Sequence, residues 1–218
     1  MTRETFRRSS YHDVHLPEHP ARRDVWRAIA AHLARWVPPD AAVAEIGAGY
    51  CHWINAVRAA RRVAIDLWEA LPQQAASGVE ARVLDASTAL LTLGPAQFDI
   101  VLASNVLEHF DPDTAGRIAA DVREILRPGG RFLLIQPNFR YAYRRYFDDF
   151  THRAVFTDVS LPTMLRSRGF AIEHVQPKFL PYSMRQLRSG VPPWVVRAYL
   201  RSPFKPGAGQ MLVVAARD

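Results

Sequence analysis

From Ala41 onward, short apolar runs bounded by turn residues alternate with stretches of helical periodicity. Val43-Ala-Glu-Ile46, Arg62-Val-Ala-Ile-Asp66, Ala81-Arg-Val-Leu84, Phe98-Asp-Ile-Val-Leu-Ala103 and Arg131-Phe-Leu-Leu-Ile135 are five predicted strands. Near-continuous apolar runs are what strands covered on both faces of a parallel sheet require. Between the fourth and fifth, a helix is predicted from about Thr114 to Leu126, with Ile118, Val122, Ile125 and Leu126 facing inward and Pro128-Gly129-Gly130 as its stop. Strands alternating with helices in this way predict an α/β, doubly wound, Rossmann-like sheet with helices on both faces.

The ends of the chain read differently. A polar tail carrying His12, His15 and His19 runs to Pro20, and an amphipathic helix follows from about Ala21 to Val37. Its Val25, Ile29, His32, Leu33 and Trp36 share one face, and Pro38-Pro39 ends it. After Pro137 the chain turns aromatic and charged as far as His152. A helix is predicted over Thr157 to Arg168, capped by Thr157-Asp158 and closed by Gly169. Phe170 to Val175 and Gln210 to Ala215 read as two late strands, with a proline-rich segment and a short helix around Trp194 to Leu200 between them.

Composition narrows the function classes. The net charge of +7 and a pI near 10.1 raise nucleic acid or an anionic surface as partners. Of the 28 basic residues, however, 26 are arginines scattered singly or in pairs, with lysine only at Lys178 and Lys205. That dispersal resembles compositional bias more than a binding stripe, so nucleic acid is not expected as a partner. Cys51 is the single cysteine, which excludes an intramolecular disulfide and any multi-cysteine zinc site. No apolar run reaches the roughly 18 residues of a membrane span, and the N-terminus lacks the apolar core of a secretory signal. A cytoplasmic location is the default expectation.

The chemistry concentrates at the strand ends. Val43-Ala-Glu-Ile-Gly-Ala-Gly49 closes the first strand with Gly-x-Gly, where two residues without Cβ let the backbone approach a ligand. A dinucleotide fingerprint would place a third glycine where His52 stands. Glu45 would also repel a pyrophosphate and suits a cationic ligand. Asp66 closes the second strand 19 residues after Gly47, near the spacing at which a carboxylate meets ribose hydroxyls. Asp85 follows the third strand, within reach of an adenine amine.

These residues resemble the class I S-adenosylmethionine-dependent methyltransferases, in particular small-molecule enzymes with a Leu-Glu-His signature. Four blocks carry the resemblance: Glu45-Ile-Gly-Ala-Gly49, Val63-Ala-Ile-Asp66, Phe98 to His109, and Leu126-Arg-Pro-Gly-Gly-Arg-Phe-Leu-Leu134. It implies a seven-stranded sheet in the order 3-2-1-4-5-7-6 with strand 7 antiparallel, and S-adenosylmethionine as cofactor. Carried over by position, Glu45, Gly47, Ala48 and Gly49 would frame the methionine moiety and Asp66 the ribose. Asp85 and Ala86 would meet the adenine, and Ser104 and Asn105 the methyl-bearing side. Cys51 stands where many members have a third glycine. The implied organisation is a tail and cap helix over residues 1–40 and a methyltransferase domain over 41–218, with 138–156 and 181–209 as substrate-side or capping insertions. Tyr146 to His152, the Phe156 helix start and Phe179-Leu-Pro-Tyr182 more loosely resemble bacterial polysaccharide- and sugar-modifying methyltransferases.

A sulfonium methyl is already activated, so the protein must align an acceptor and accept its proton. His109, after the fourth strand, and His152, beside Asp148 and Asp149, are the candidate bases, with Asp149 as orienter. A packing role for His109 and a solvated loop for His152 are the bland alternatives. Asp-Asp-x-x-His also invites a metal, but with only three ligands none is expected. Tyr11 or His12 could fold over the pocket. The Arg185 to Arg201 stretch, basic and aromatic, could lie on an anionic membrane, although packing over the late strands or at a dimer interface is favoured. The expectation is methyl transfer to a small-molecule acceptor, at oxygen, with a sugar or glycan precursor as the lead. The alternatives are an RNA methyltransferase and a non-catalytic cofactor- or partner-binding protein of the same fold. Monomer and homodimer both stay open.

Overall fold

A computed structural model describes residues 21–182 and 191–218. The element order is α1 (Ala21–Leu33), β1 (Ala42–Ile46), α2 (His52–Ala56), β2 (Arg61–Asp66), α3 (Leu71–Gln74), β3 (Val79–Val83), β4 (Phe98–Ser104), α4 (Pro112–Ile125) and β5 (Leu126–Pro137). There follow α5 (Phe139–Ala142), α6 (Ser160–Ser167), β6 (Phe170–Pro181), α7 (Pro193–Arg201) and β7 (Ala208–Arg217), with 3₁₀ turns at Ala34–Trp36, Leu90–Leu93, Leu107–His109 and Tyr146–Asp148. The strands form one sheet in the order β3-β2-β1-β4-β5-β7-β6. β7 runs antiparallel to both β5 and β6, while β1 to β5 pair in parallel. The fold is the Rossmann-like one expected from the sequence.

The period-2 alternation of the strands splits the apolar residues between two cores. On one face Ala44, Ile46, Val101, Ala103, Phe132, Leu134 and Val213 pack under Ile118, Val122 and Ile125 of α4 and Leu161 and Leu165 of α6. On the other, Val43, Ile100, Leu102, Leu133, Ile135, Leu212 and Val214 meet Val25, Ile29 and Leu33 of α1, Trp53 and Ile54 of α2, and Val196 and Leu200 of α7. α1 thus covers the sheet with the residues its periodicity selects, and the chain tightens into a 3₁₀ turn at Ala34 ahead of Pro38.

Several boundaries differ from expectation for physical reasons. α4 starts at Pro112, because Asp111 caps it by accepting from the Thr114 N–H at 2.9 Å and proline suits the first helical turn. Pro128-Gly129-Gly130 does not stop this helix. The chain passes directly from Ile125 into β5, and Gly130 lies where a Cβ would meet the Arg127 carbonyl at 2.8 Å. β3 spans Val79–Val83 rather than 81–84 and has no fully buried residue, because it is the sheet edge. α6 is shorter than predicted. Val159 stands at its N-cap without a side-chain bond, Thr157 Oγ1 accepts from the Ser160 N–H at 3.1 Å just ahead of it, and Asp158 binds Asn138 and Arg140. The two late strands are longer than read, reaching Pro181 and starting at Ala208. No helix among the described residues is long and apolar enough to cross a membrane.

Candidate active site

The carboxyl ends of β1, β2 and β4, with the segment after β3, open on one cavity of about 550 Å³. This is where open parallel sheets hold ligands, since the strand order reverses there between β1 and β4. All nine residues named for the cofactor line it: Glu45, Gly47, Ala48, Gly49, Asp66, Asp85, Ala86, Ser104 and Asn105. His109, Asp149 and His152 line it as well. Tyr11, His12, His15 and His19 of the tail, and the part of the Arg185 to Arg201 stretch before residue 191, lie outside the described residues.

The glycine turn is fixed from within. Gly47 and Gly49 have φ of +68° and +48°, and Cys51 follows at +56°. A Cβ on Gly47 would lie 2.4 Å from Val106 Cγ2. The Gly47 and Ala48 N–H groups both donate to the Ile65 carbonyl, at 2.8 and 3.1 Å, and the Gly49 N–H donates to Asp66 Oδ2 at 2.8 Å. All three amides are therefore committed to β2, which is unlike a phosphate-binding turn whose amides face the anion. Cys51 occupies a left-handed position that glycine takes without strain. It is fully buried, and burial together with Glu45 and Asp66 pushes its thiol up to about 12.

The acids of the three strands have separate settings. Glu45 is buried, accepts from the Ile54 N–H at 3.0 Å, and is pushed up to about 8 by burial, with the nearby Asp66 adding to the shift. Asp66 Oδ1 accepts from the Trp68 N–H at 2.9 Å. Each oxygen of Asp66 thus holds one backbone donor and keeps a lone pair for a ligand hydroxyl. Asp85 Oδ1 accepts from the Ser87 N–H and hydroxyl at 2.8 and 2.6 Å. Tyr50 and Trp68 stand edge to face at 5.1 Å beside this part of the cavity.

The opposite wall comes from the loops after β4 and β5. Asn105 takes φ +54°, donates to Ser104 Oγ at 3.2 Å and accepts from Gln210 Nε2 at 3.2 Å. The Glu108 carbonyl accepts from the Arg153 and Ala154 N–H groups at 2.7 and 3.1 Å, which pins the Asp149–His152 loop against the 3₁₀ turn. The rings of His109 and His152 lie 5.0 Å apart. Thr151 Oγ1 donates to Asp149 Oδ1 at 2.5 Å and stands 2.9 Å from His109 Nδ1. Burial pushes Asp149 up, but the Thr151 hydroxyl and N–H outweigh that and hold it below the usual carboxylate range. Burial, then His152, push His109 down to about 4 against the opposing pull of Asp149. Glu108 is fully buried and pushed up to about 8, first by burial.

The sequence reading missed four residues here. Glu108 lines the cavity rather than serving only as part of a signature, and Thr151 joins Asp149 to His109. Tyr182 and Gln210 reach the same cavity from β6, its following turn and β7. Glu108 had a signal, an acid one residue before the candidate base. The others depend on pairings across the sheet that no local pattern carries.

A family model described as a methyltransferase domain matches residues 44–134. A comparison with curated proteins finds no match. Among solved structures, an S-adenosylmethionine-dependent methyltransferase from Archaeoglobus fulgidus superposes with a TM-score of 0.68 at 18% identity, covering 89% of this chain and 94% of that one. One from Mesorhizobium loti gives 0.64 at 19%, with 87% and 98% covered. The 1,6-didemethyltoxoflavin-N1-methyltransferase of Burkholderia thailandensis, solved with 1,6-didemethyltoxoflavin and S-adenosylhomocysteine, gives 0.60 at 25%, with 99% and 86% covered. The matched methyltransferase domain supplies most of β1 to β5, and the sheet order completes the fold shared with these S-adenosylmethionine-dependent methyltransferases.

Proposed function

We propose that this enzyme transfers the methyl group to a hydroxyl oxygen of a small molecule, with a sugar or glycan precursor as the acceptor class. The observation that carries this reading is the division of the cavity. An acid-and-glycine wall on β1 to β3 faces an imidazole wall built from His109 and His152.

The residues of the first wall fit the cofactor. Gly47 has no room for a side chain, and the turn's amides are spent on β2, so the wall offers carboxylates rather than anion-binding N–H groups. Glu45 would hold the cationic methionine end beside Gly47, Ala48 and Gly49. Asp66 would take the ribose hydroxyls through its remaining lone pairs, and Asp85 with Ala86 would border the adenine. Ser104 and Asn105 would line the sulfonium side. When bound, S-adenosylmethionine supplies an activated methyl group and a neutral thioether leaving group.

His109 and His152, with Asp149 behind Thr151, are where the acceptor's proton is drawn off. Nitrogen acceptors need such a group less, since many carry a lone pair at neutral pH. The test is methyl transfer from labelled cofactor to a panel of sugars, nucleotide sugars and phenols, with RNA and a protein extract as controls. Labelled product on a hydroxyl compound, lost in His109→Ala or His152→Ala at saturating cofactor, supports the reading. Label only on RNA or on nitrogen overturns it.

A further inference from the structure

Glu108 is fully buried at the cavity wall, yet it is only half satisfied. In the orientation that satisfies both groups, the Gln136 amide nitrogen donates to Glu108 Oε2 at 2.7 Å and the amide oxygen accepts from the Leu107 N–H at 3.0 Å. Glu108 Oε1 has no hydrogen-bond partner among the described residues. An unmet oxygen in such a place is destabilising unless something arrives to use it.

A carboxylate oxygen of Glu108 and a ring nitrogen from each of His109 and His152 lie within 4.8 Å of one another. The tautomer of His109 follows from its partner. Asp149 can only accept, so the single Thr151 hydroxyl proton goes to Asp149 and the Thr151 oxygen must accept from His109 Nδ1–H. A metal-binding histidine is held in the same manner, with its second N–H tied through a hydrogen bond toward a carboxylate.

We propose that Glu108, His109 and His152 hold one divalent first-row metal ion at the acceptor side of the cavity. Two imidazoles and one carboxylate suit manganese, iron, cobalt, nickel or zinc better than magnesium or calcium. Three protein ligands leave positions open for the acceptor, and two vicinal oxygens of a sugar fill them as a chelate. This deepens the reading of an oxygen acceptor, on which it rests. The metal-bound hydroxyl loses its proton to water at the cavity mouth. Its lone pair forms the O–CH₃ bond, and the pair of the broken S–CH₃ bond stays on sulfur, turning sulfonium into thioether. The oxygen acceptor of the proposed function is kept, and the bound metal ion replaces the imidazoles in the proton-withdrawing role given to them there.

The test is titration of the metal-free full chain with Co²⁺, read by visible absorbance, and with Mn²⁺, read by electron paramagnetic resonance. The background carries His12→Ala, His15→Ala and His19→Ala, so that the histidine-rich tail does not contribute. We expect one equivalent bound, with affinity falling at least tenfold in Glu108→Gln and His152→Ala and roughly 10- to 100-fold in Thr151→Val. Thermal shift with S-adenosylhomocysteine is measured on every variant. Variants that keep this shift are folded, and metal binding unchanged in them overturns the site while leaving the methyltransferase reading intact. Binding absent from the tail-substituted parent overturns it as well, and returns the proton to an imidazole. Loss of the S-adenosylhomocysteine shift in that parent would instead strike at the cofactor wall.

Discussion

Asp66 Oδ2 accepts a hydrogen bond from the Gly49 N–H at 2.8 Å, so the acid that ends β2 also holds the glycine turn that ends β1. One side chain thereby sets the shape of the turn, and in the proposed binding mode its remaining lone pairs would meet the ribose. Asp66→Ala should weaken S-adenosylhomocysteine binding by about 10- to 100-fold, since hydrogen bonds to a charged group are worth about 1.5–3 kcal/mol. Isothermal titration with circular dichroism as a fold control checks this. Unchanged affinity would place the ribose elsewhere.

Gly47 is the tightest point of the turn. In Gly47→Ala the new methyl would lie 2.4 Å from Val106 Cγ2 at a φ of +68°. Gly129→Ala carries a similar positive φ of +77° with nothing within 4 Å. Urea unfolding should therefore show a loss of about 1 kcal/mol for Gly129→Ala and about 2–4 kcal/mol for Gly47→Ala. Adding Val106→Ala to Gly47→Ala should recover part of the difference. Equal losses would mean that the turn yields and the contact with Val106 does not matter.

Much of this arrangement is legible in the sequence because it is local. Gly-x-Gly after Val43-Ala-Glu-Ile46 and the acid ending Arg62–Asp66 each sit at a strand end that hydrophobic pattern alone locates. The Asp111-Pro112 start of α4 was equally local, a capping acid before a first-turn proline, although the periodicity pointed to Thr114. β3 departs from the expected Ala81 to Leu84 because an edge strand need not be apolar on both faces. The link from Asp149 through Thr151 to His109 spans 42 residues at its second step, and that from Gln210 to Asn105 spans 105. Only the sheet order brings these together, so no pattern along the chain could show them.

If Glu45 holds the cationic methionine end as proposed, cofactor binding depends on pH. In the free protein its carboxyl is pushed up to about 8, so it is mostly protonated at neutral pH. A cationic ligand end favours the carboxylate, so binding expels a proton and affinity rises with pH until about 8. Glu45→Gln should lose that slope, and the difference between the two proteins removes the ligand's own titration. Parallel curves for both from pH 6 to 8.5 would place the cation away from Glu45.

His32, half-buried on α1, is one of the groups that make stability depend on pH in acid. Burial, then Arg35, push its pKa down from 6.5 to about 4. The unfolded chain therefore binds a proton that the fold refuses, and stability rises with pH between about 4 and 6.5. The contribution is complete above 6.5 and is lost as pH falls through 4. His174, also pushed down by burial, adds to the same slope. Denaturant midpoints at pH 4.5 and 7 should differ more in the wild type than in His32→Gln; an equal difference would show that His32 does not set it.

Melting with and without S-adenosylhomocysteine, with NADH as control, decides whether the cavity at the ends of β1 to β4 takes S-adenosylmethionine. At about 100 times its dissociation constant the ligand adds about 2.7 kcal/mol, which raises the midpoint of a chain this size by roughly 5–10 °C. A rise with S-adenosylhomocysteine alone, abolished in Asp66→Ala, is the predicted result. A well-folded protein whose melting S-adenosylhomocysteine leaves unmoved, or moves no more than NADH does, would contradict it.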